Sequence, residues 1–187
     1  MKQVFALFSL GLTLMTSSAQ ALEYNRLQAD QSRIEFVYQQ MGVKVDGRFK
    51  SFTADLRFDP AKPTAAKASF DVALASIDTG AAESDEEVAG KGWFNTKAFP
   101  SAKFVATSVK PLGGQRFEVT GTLSIKGQSR SVVVPAQFTA QGKTGVFDGS
   151  FVIKRGDFSI GEGPWAKFDI LANDVLVKFR ITASAGP

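Results

Sequence analysis

Phe52-Thr53-Ala54-Asp55-Leu56-Arg57-Phe58-Asp59 places Phe52, Ala54, Leu56 and Phe58 on one face of an extended chain and Thr53, Asp55, Arg57 and Asp59 on the other. Strict alternation of this kind is the mark of a half-buried β-strand, because successive side chains of a strand point to opposite faces. The pattern recurs along the chain. Ala68, Phe70, Val72 and Leu74 form one such face; Phe117, Val119, Leu123 and Ile125 form another, with Gly121 among them; Phe147, Phe151 and Ile153 flank Gly149; Val175, Val177, Phe179 and Ile181 alternate with Leu176, Lys178, Arg180 and Thr182. Val43, Val45 and Phe49 are out of phase with Phe52 to Phe58, so one extra residue near Ser51 is expected to form a bulge in a single bent strand.

Turn signals separate these runs: Asp59-Pro60-Ala61-Lys62-Pro63, Gly113-Gly114, Lys126-Gly127-Gln128 and Gln141-Gly142-Lys143. Short connections imply antiparallel neighbours. The reading is therefore all-β, with eight strands near 33 to 41, 43 to 59, 66 to 74, 102 to 110, 116 to 125, 129 to 140, 145 to 155 and 174 to 184. Eight twisted antiparallel strands close into a barrel or split into a sandwich, and strand glycines at 121 and 149 favour the bending of closure. The expected architecture is an eight-stranded antiparallel barrel whose first and last strands are neighbours. Glu83 to Gly90 reads as one short helix, since Ser84-x-x-Glu87 has capping-box form. Gly156 to Ala172 is a long connection carrying Phe158, Trp165 and Phe168.

The N-terminus carries a targeting signal. Lys2 supplies the positive end, Val4 to Met15 the apolar run, and Ala19-Gln20-Ala21 the small-x-small cleavage site, so cleavage is expected after Ala21. Residues 22–187 then form one exported domain. No later apolar run approaches the roughly 20 residues of a spanning helix. Residues 1–187 contain no Cys and no His. This excludes disulfides, Cys or His zinc sites, His-dependent nucleophile triads and attached c-type haem.

The ordered motifs Ser32-Arg33-Ile34-Glu35-Phe36, Met41-Gly42, Gly47-Arg48-Phe49-x-x-Phe52, Phe58-Asp59-Pro60, Ser76-Ile77-Asp78-Thr79-Gly80, Trp93-Phe94-Asn95 with Phe99-Pro100, Gly121-Thr122-Leu123-Ser124-Ile125-Lys126-Gly127 and Arg155-Gly156-Asp157-Phe158 together resemble the YceI-like family. The resemblance spans essentially the whole mature chain. It implies a lipocalin-like barrel, exported to the periplasm, whose apolar cavity binds polyisoprenoid or other long lipid chains. Where members commonly carry basic residues, this chain has Gln31, Gln39-Gln40 and Ser84-Asp85-Glu86-Glu87, of which only Asp85 keeps the family pattern.

Seventeen Phe, all but Phe5 and Phe8 in the mature chain, supply the apolar faces. The ligand-binding residues expected on this reading are Phe36, Tyr38, Phe58, Phe70, Val72, Leu74, Phe94, Phe104, Phe117, Val119, Leu123, Phe151, Phe158 and Trp165. Trp93-Phe94 and the loop carrying Phe158 and Trp165 are expected to shape the mouth. The acidic run Glu83, Asp85, Glu86 and Glu87 reads as a solvated helix face favoured by the helix dipole, and no metal is assigned. Asp78, Asp85, Asp157, Glu162, Lys154 and Tyr38 stand in no spacing that identifies a reaction, so no catalytic residue and no cofactor are assigned.

The net charge of +4 is dispersed over strand faces and turns, which argues against nucleic acid and allows weak attraction to an anionic membrane surface. Two Trp and two Tyr are too few for the girdles of an outer-membrane barrel, and Lys67, Asp71, Lys103 and Arg180 sit within strands. The function expected is a periplasmic protein that binds or carries a long-chain isoprenoid or other lipid. The alternatives are an isoprenoid-quinone carrier serving a membrane redox partner and a cofactor-dependent periplasmic enzyme.

Overall fold

The structure of the protein, a computed structural model, describes residues 22–186. The targeting segment inferred for residues 1–21 lies outside the described residues. Eleven strands form one antiparallel sheet: β1 (Tyr24–Leu27), β2 (Arg33–Gln40), β3 (Val43–Phe49), β4 (Phe52–Arg57), β5 (Lys67–Ala73), β6 (Ile77–Asp78), β7 (Ser101–Gly113), β8 (Arg116–Ile125), β9 (Gln128–Gln141), β10 (Thr144–Lys154) and β11 (Asp174–Ala185). Ten of them follow the order β4-β5-β7-β8-β9-β10-β11-β2-β3-β6, and β1 pairs with β11. The count of eight is thus corrected to eleven. β1 and the two-residue β6 are additions, and residues 43–59 make two strands.

The division at Lys50–Ser51 has a topological cause. β3 pairs with β2 and β6, whereas β4 pairs with β5 at the other end of the sheet order. The phase break is therefore a corner where the chain passes between the two ends of the curled sheet, and not a bulge inside one strand. Lys50 N–H donates to the Ser76 carbonyl and Ala73 N–H to the Ser51 carbonyl at this corner. At the opposite end of the barrel, Tyr24 and Phe58 exchange backbone hydrogen bonds of 2.9 and 3.1 Å, so β1 links β11 to the end of β4. β11 also pairs with β2, from Leu176 opposite Val37 to Arg180 opposite Arg33.

The strand glycines make room for aromatic rings. Gly149 lies directly opposite Phe179, and a Cβ there would overlap both that ring and the Pro135 carbonyl oxygen. Gly121 similarly lies under the Phe104 ring, with the Val105 carbonyl oxygen 2.7 Å from where a Cβ would stand. Gly149→Ala must displace backbone as well as a ring. It is expected to cost about 2 kcal/mol by overpacking, a fall in Tm of roughly 4–8 °C in a thermal melt.

The one α-helix among the described residues, α1 (Ala82–Ala89), spans nearly the expected residues, but the capping box does not form. Ala81 is the N-cap and offers no side-chain bond. Asp85 instead accepts from the Thr79 backbone N–H at 2.8 Å and from Thr79 Oγ1 at 2.7 Å, tying the helix to the segment after β6. The connection 156–172 contains short 3-10 turns, Arg155–Phe158 (which begins one residue before it) and Gly163–Trp165.

Candidate functional site

The inward faces of β8, β10 and β11 run the full height of the barrel and line two cavities stacked along it. The larger, about 350 Å³, lies beneath α1 and the 156–172 connection; the smaller, about 170 Å³, lies toward the opposite end. Ile34, Val72, Leu123, Phe151 and Val177 line both, so the cavities meet at an apolar waist. On β11 the alternation becomes geometry: Val175 and Val177 face the larger cavity, and Val177, Phe179 and Ile181 the smaller.

Thirteen of the fourteen expected residues line this space. Phe36, Tyr38, Leu74, Phe94 and Trp165 face the larger cavity. Phe58, Phe70, Phe104, Phe117 and Val119 face the smaller, and Val72, Leu123 and Phe151 face both. Phe158 is the exception: it is 2% exposed and packs in the core with Leu74, Trp93, Ile160 and Leu171. The β9–β10 ladder ends at Ala136 opposite Gly149, just below Pro135, which has no N–H to donate. The Arg155–Phe158 turn packs against β9, and Phe158 becomes wall packing rather than mouth.

The mouth is assembled by polar contacts that no motif announced. Glu87 Oε1 accepts from both indoles, Trp93 Nε1 at 3.1 Å and Trp165 Nε1 at 3.3 Å, and the two ring systems lie 5.5 Å apart. One carboxylate thereby joins α1, the segment after it and the 156–172 connection. Gly92 reinforces the joint, its carbonyl accepting from Gly161 and Glu162 N–H. Lys126 Nζ bonds Glu162 and the Ser159 carbonyl, each at 2.7 Å.

Arg155, read from the sequence as a strand end, organises the whole connection. It is 2% exposed, and its guanidinium donates to six backbone carbonyls: Ala172, Ile160, Gly161, Trp165, Lys167 and Leu171. The Phe168 ring covers it at 4.9 Å. Burial lowers its pKa from the ordinary arginine value. Its donors are committed to the loop, so its charge is poorly placed to bind a ligand.

The remaining polar lining of the larger cavity is Tyr38, Gln40, Thr79, Glu83, Ser84 and Glu87. Burial raises the Tyr38 pKa, so its phenol stays protonated and is available as a hydrogen-bond donor. Of the glutamines at family basic positions only Gln40 lines the cavity. Gln31 sits on the Ala29–Gln31 turn at the far end of the barrel, its carbonyl accepting from Thr182 Oγ1, so it takes no part in the mouth. Among the described residues no three carboxylates converge as a metal site, and no helix is long and apolar enough to cross a membrane.

A model of the YceI-like domain matches residues 26–183. The chain belongs to the YceI-like family. A UPF0312 protein of Pseudomonas putida is 32% identical, over 95% of this chain and 97% of that protein. The crystal structure of Burkholderia cenocepacia BcnA superposes with a TM-score of 0.83 at 39% identity, over 84% of this chain and 99% of that chain. A polyisoprenoid-binding domain from Saccharophagus degradans shares the YceI-like fold, with a TM-score of 0.67 at 18% identity over 89% of this chain and 100% of that one.

Trp165→Ala removes one indole from the Glu87 pair but keeps the backbone carbonyl that Arg155 uses. A bound apolar probe is expected to dissociate roughly tenfold faster, as loss of about 1.4 kcal/mol of contact would give. Tm should fall by only a few degrees, and stopped-flow release with a thermal melt checks both.

Proposed function

We propose that this YceI-like protein is a periplasmic carrier that holds one long-chain isoprenoid or similar lipid, with its tail across both cavities and its head at the mouth. The observation that carries this reading is the shared apolar waist, which joins a carbon-walled lower cavity to an upper cavity with polar groups near its opening. Each methylene moved from water into such walls contributes about 0.8 kcal/mol, so a tail of roughly 20 carbons gains on the order of 16 kcal/mol before association and ordering costs. That is ample for binding without any charged contact. The domain described as polyisoprenoid-binding in Saccharophagus degradans supports the same ligand class. The reading assigns no catalytic step.

The head group we assign is neutral, a polyprenol hydroxyl or a quinone ring. Glu83 and Glu87 put carboxylates on the lining, and the Arg155 guanidinium is spent on carbonyls. A diphosphate would meet like charge without the charge-assisted donors it requires. Tyr38, Gln40, Thr79 and Ser84 offer neutral hydrogen bonds instead. Displacement of a fluorescent apolar probe by a polyprenol, an isoprenoid quinone and the matching polyprenyl diphosphate tests the assignment. The neutral ligands should compete at least tenfold better, a difference of about 1.4 kcal/mol. A preference for the diphosphate would overturn it.

A further inference from the structure

The lower cavity ends on a cluster of aromatic rings packed with Leu56 and Val109. Phe58 stands at its centre, with ring centroids 5.3 Å from Phe117, 5.0 Å from Phe147 and 4.8 Å from Phe138. Tyr24 backs this layer, 5.2 Å from Phe138, and its hydroxyl donates to the Gly142 carbonyl. Tyr24, Phe58 and Phe138 are all 3% exposed or less. β1 holds Tyr24 in place from both sides, through its pairing with β11 and the backbone exchange with Phe58. Edge-to-face rings locked by a strand do not yield as an aliphatic floor of Leu or Met would.

Resting on the lipid-binding reading above, we propose that this aromatic floor is a ruler that sets the longest apolar chain the protein accepts, and that Phe147 is its specificity-determining residue. A chain entering from the mouth reaches the floor tail first, because the polar groups lie at the other end. Until the chain end touches the floor, each added methylene exchanges water for cavity wall. Beyond that length a further methylene must buckle the chain or remain at the mouth in water, and it gains nothing. Phe147 is the floor residue best suited to adjustment: it lines the cavity and is only half-buried, whereas Phe58 and Phe117 are buried by both cavity and core. Ala136 lies beside it in the lining, opposite Phe117 in the β8–β9 register and opposite Gly149 in the β9–β10 register.

The test is the affinity of a series of saturated 1-alkanols of about 8 to 20 carbons, measured by displacement of a fluorescent probe. In the parent protein, affinity should climb about fourfold per methylene and then break to a plateau or decline. Phe147→Ala and the milder Phe147→Leu should move the break to longer chains, and Ala136→Leu should move it to shorter ones. Trp165→Ala should lower affinity at every length and leave the break unmoved. A series without a break, or a break at the same length in the Phe147 and Ala136 variants, overturns the ruler while leaving lipid binding intact. Failure of every alkanol to displace the probe overturns both. Two oppositely directed variants keep the outcome interpretable if Phe147→Ala does not fold.

Discussion

Arg155→Ala is expected to destabilise the protein by on the order of 4 kcal/mol, a fall in Tm of roughly 8–16 °C. Two effects oppose each other. Removing a guanidinium with no carboxylate partner relieves the desolvation that lowers its pKa. It also leaves six carbonyls without their donor, three of them, on Ile160, Gly161 and Leu171, in fully buried bonds. At about 1–3 kcal/mol for each buried acceptor left unpaired, the second effect wins. Arg155→Lys keeps the charge but not the planar fork, and its three donors cannot reach six acceptors, so it should fall between the two. Because the same carbonyls set the path of the connection that carries Trp165, both variants should also release an apolar probe faster than Trp165→Ala does. Chemical and thermal denaturation check the first statement; a Tm within about 2 °C of the parent for Arg155→Ala would contradict it.

The second large effect belongs to the waist. Val177→Phe adds a ring where the two cavities meet and should deny a chain the lower cavity. Losing about five buried methylenes costs on the order of 4 kcal/mol, close to a thousandfold in affinity for a long polyprenol. A short probe of about eight carbons, housed in the upper cavity, should change by less than tenfold. The cost to folding is overpacking of roughly 1–3 kcal/mol, reduced here because the added ring enters space that is already open. Val72→Phe approaches the same waist from β5 and should reproduce the contrast between long and short chains. Equal losses for both lengths would mean that the upper cavity alone holds the ligand.

Most of the barrel is legible in the chain because a period of two leaves little choice of face. The alternations on β4, β5, β8, β10 and β11 predict which side chains turn inward, and the inward side is where the cavities lie. β1 is invisible to that logic, since Tyr24 and Leu27 stand three apart in a four-residue strand held by pairing with β11. A two-residue strand such as β6 has no period at all. The corner at Lys50–Ser51 shows as a break in phase, but only the pairing partners distinguish a corner from a bulge.

The mouth is less legible for a different reason. Glu87 is one of four acidic residues in the 83–87 run, and its reach to Trp93 and Trp165 depends on two chain segments meeting across 78 residues in one case. Arg155 is the same kind of residue, since nothing in Arg155-Gly156-Asp157-Phe158 tells that six carbonyls downstream will fold back over the guanidinium. Phe158 is expected at the mouth because it lies in a long connection, whereas the structure buries it in the wall at 2% exposure. Its burial goes with the packing of the Arg155–Phe158 turn against β9, a long-range contact that no local pattern marks.

On the proposed function, both cavities together hold one continuous lipid tail. Native mass spectrometry of protein purified without detergent, followed by organic extraction of the same sample, tests this directly. The expected result is one ligand per chain, a lipid with a neutral head and a tail long enough to pass the waist formed by Ile34, Val72, Leu123, Phe151 and Val177. Protein that is reproducibly ligand-free and takes up neither polyprenol nor quinone on incubation would contradict it.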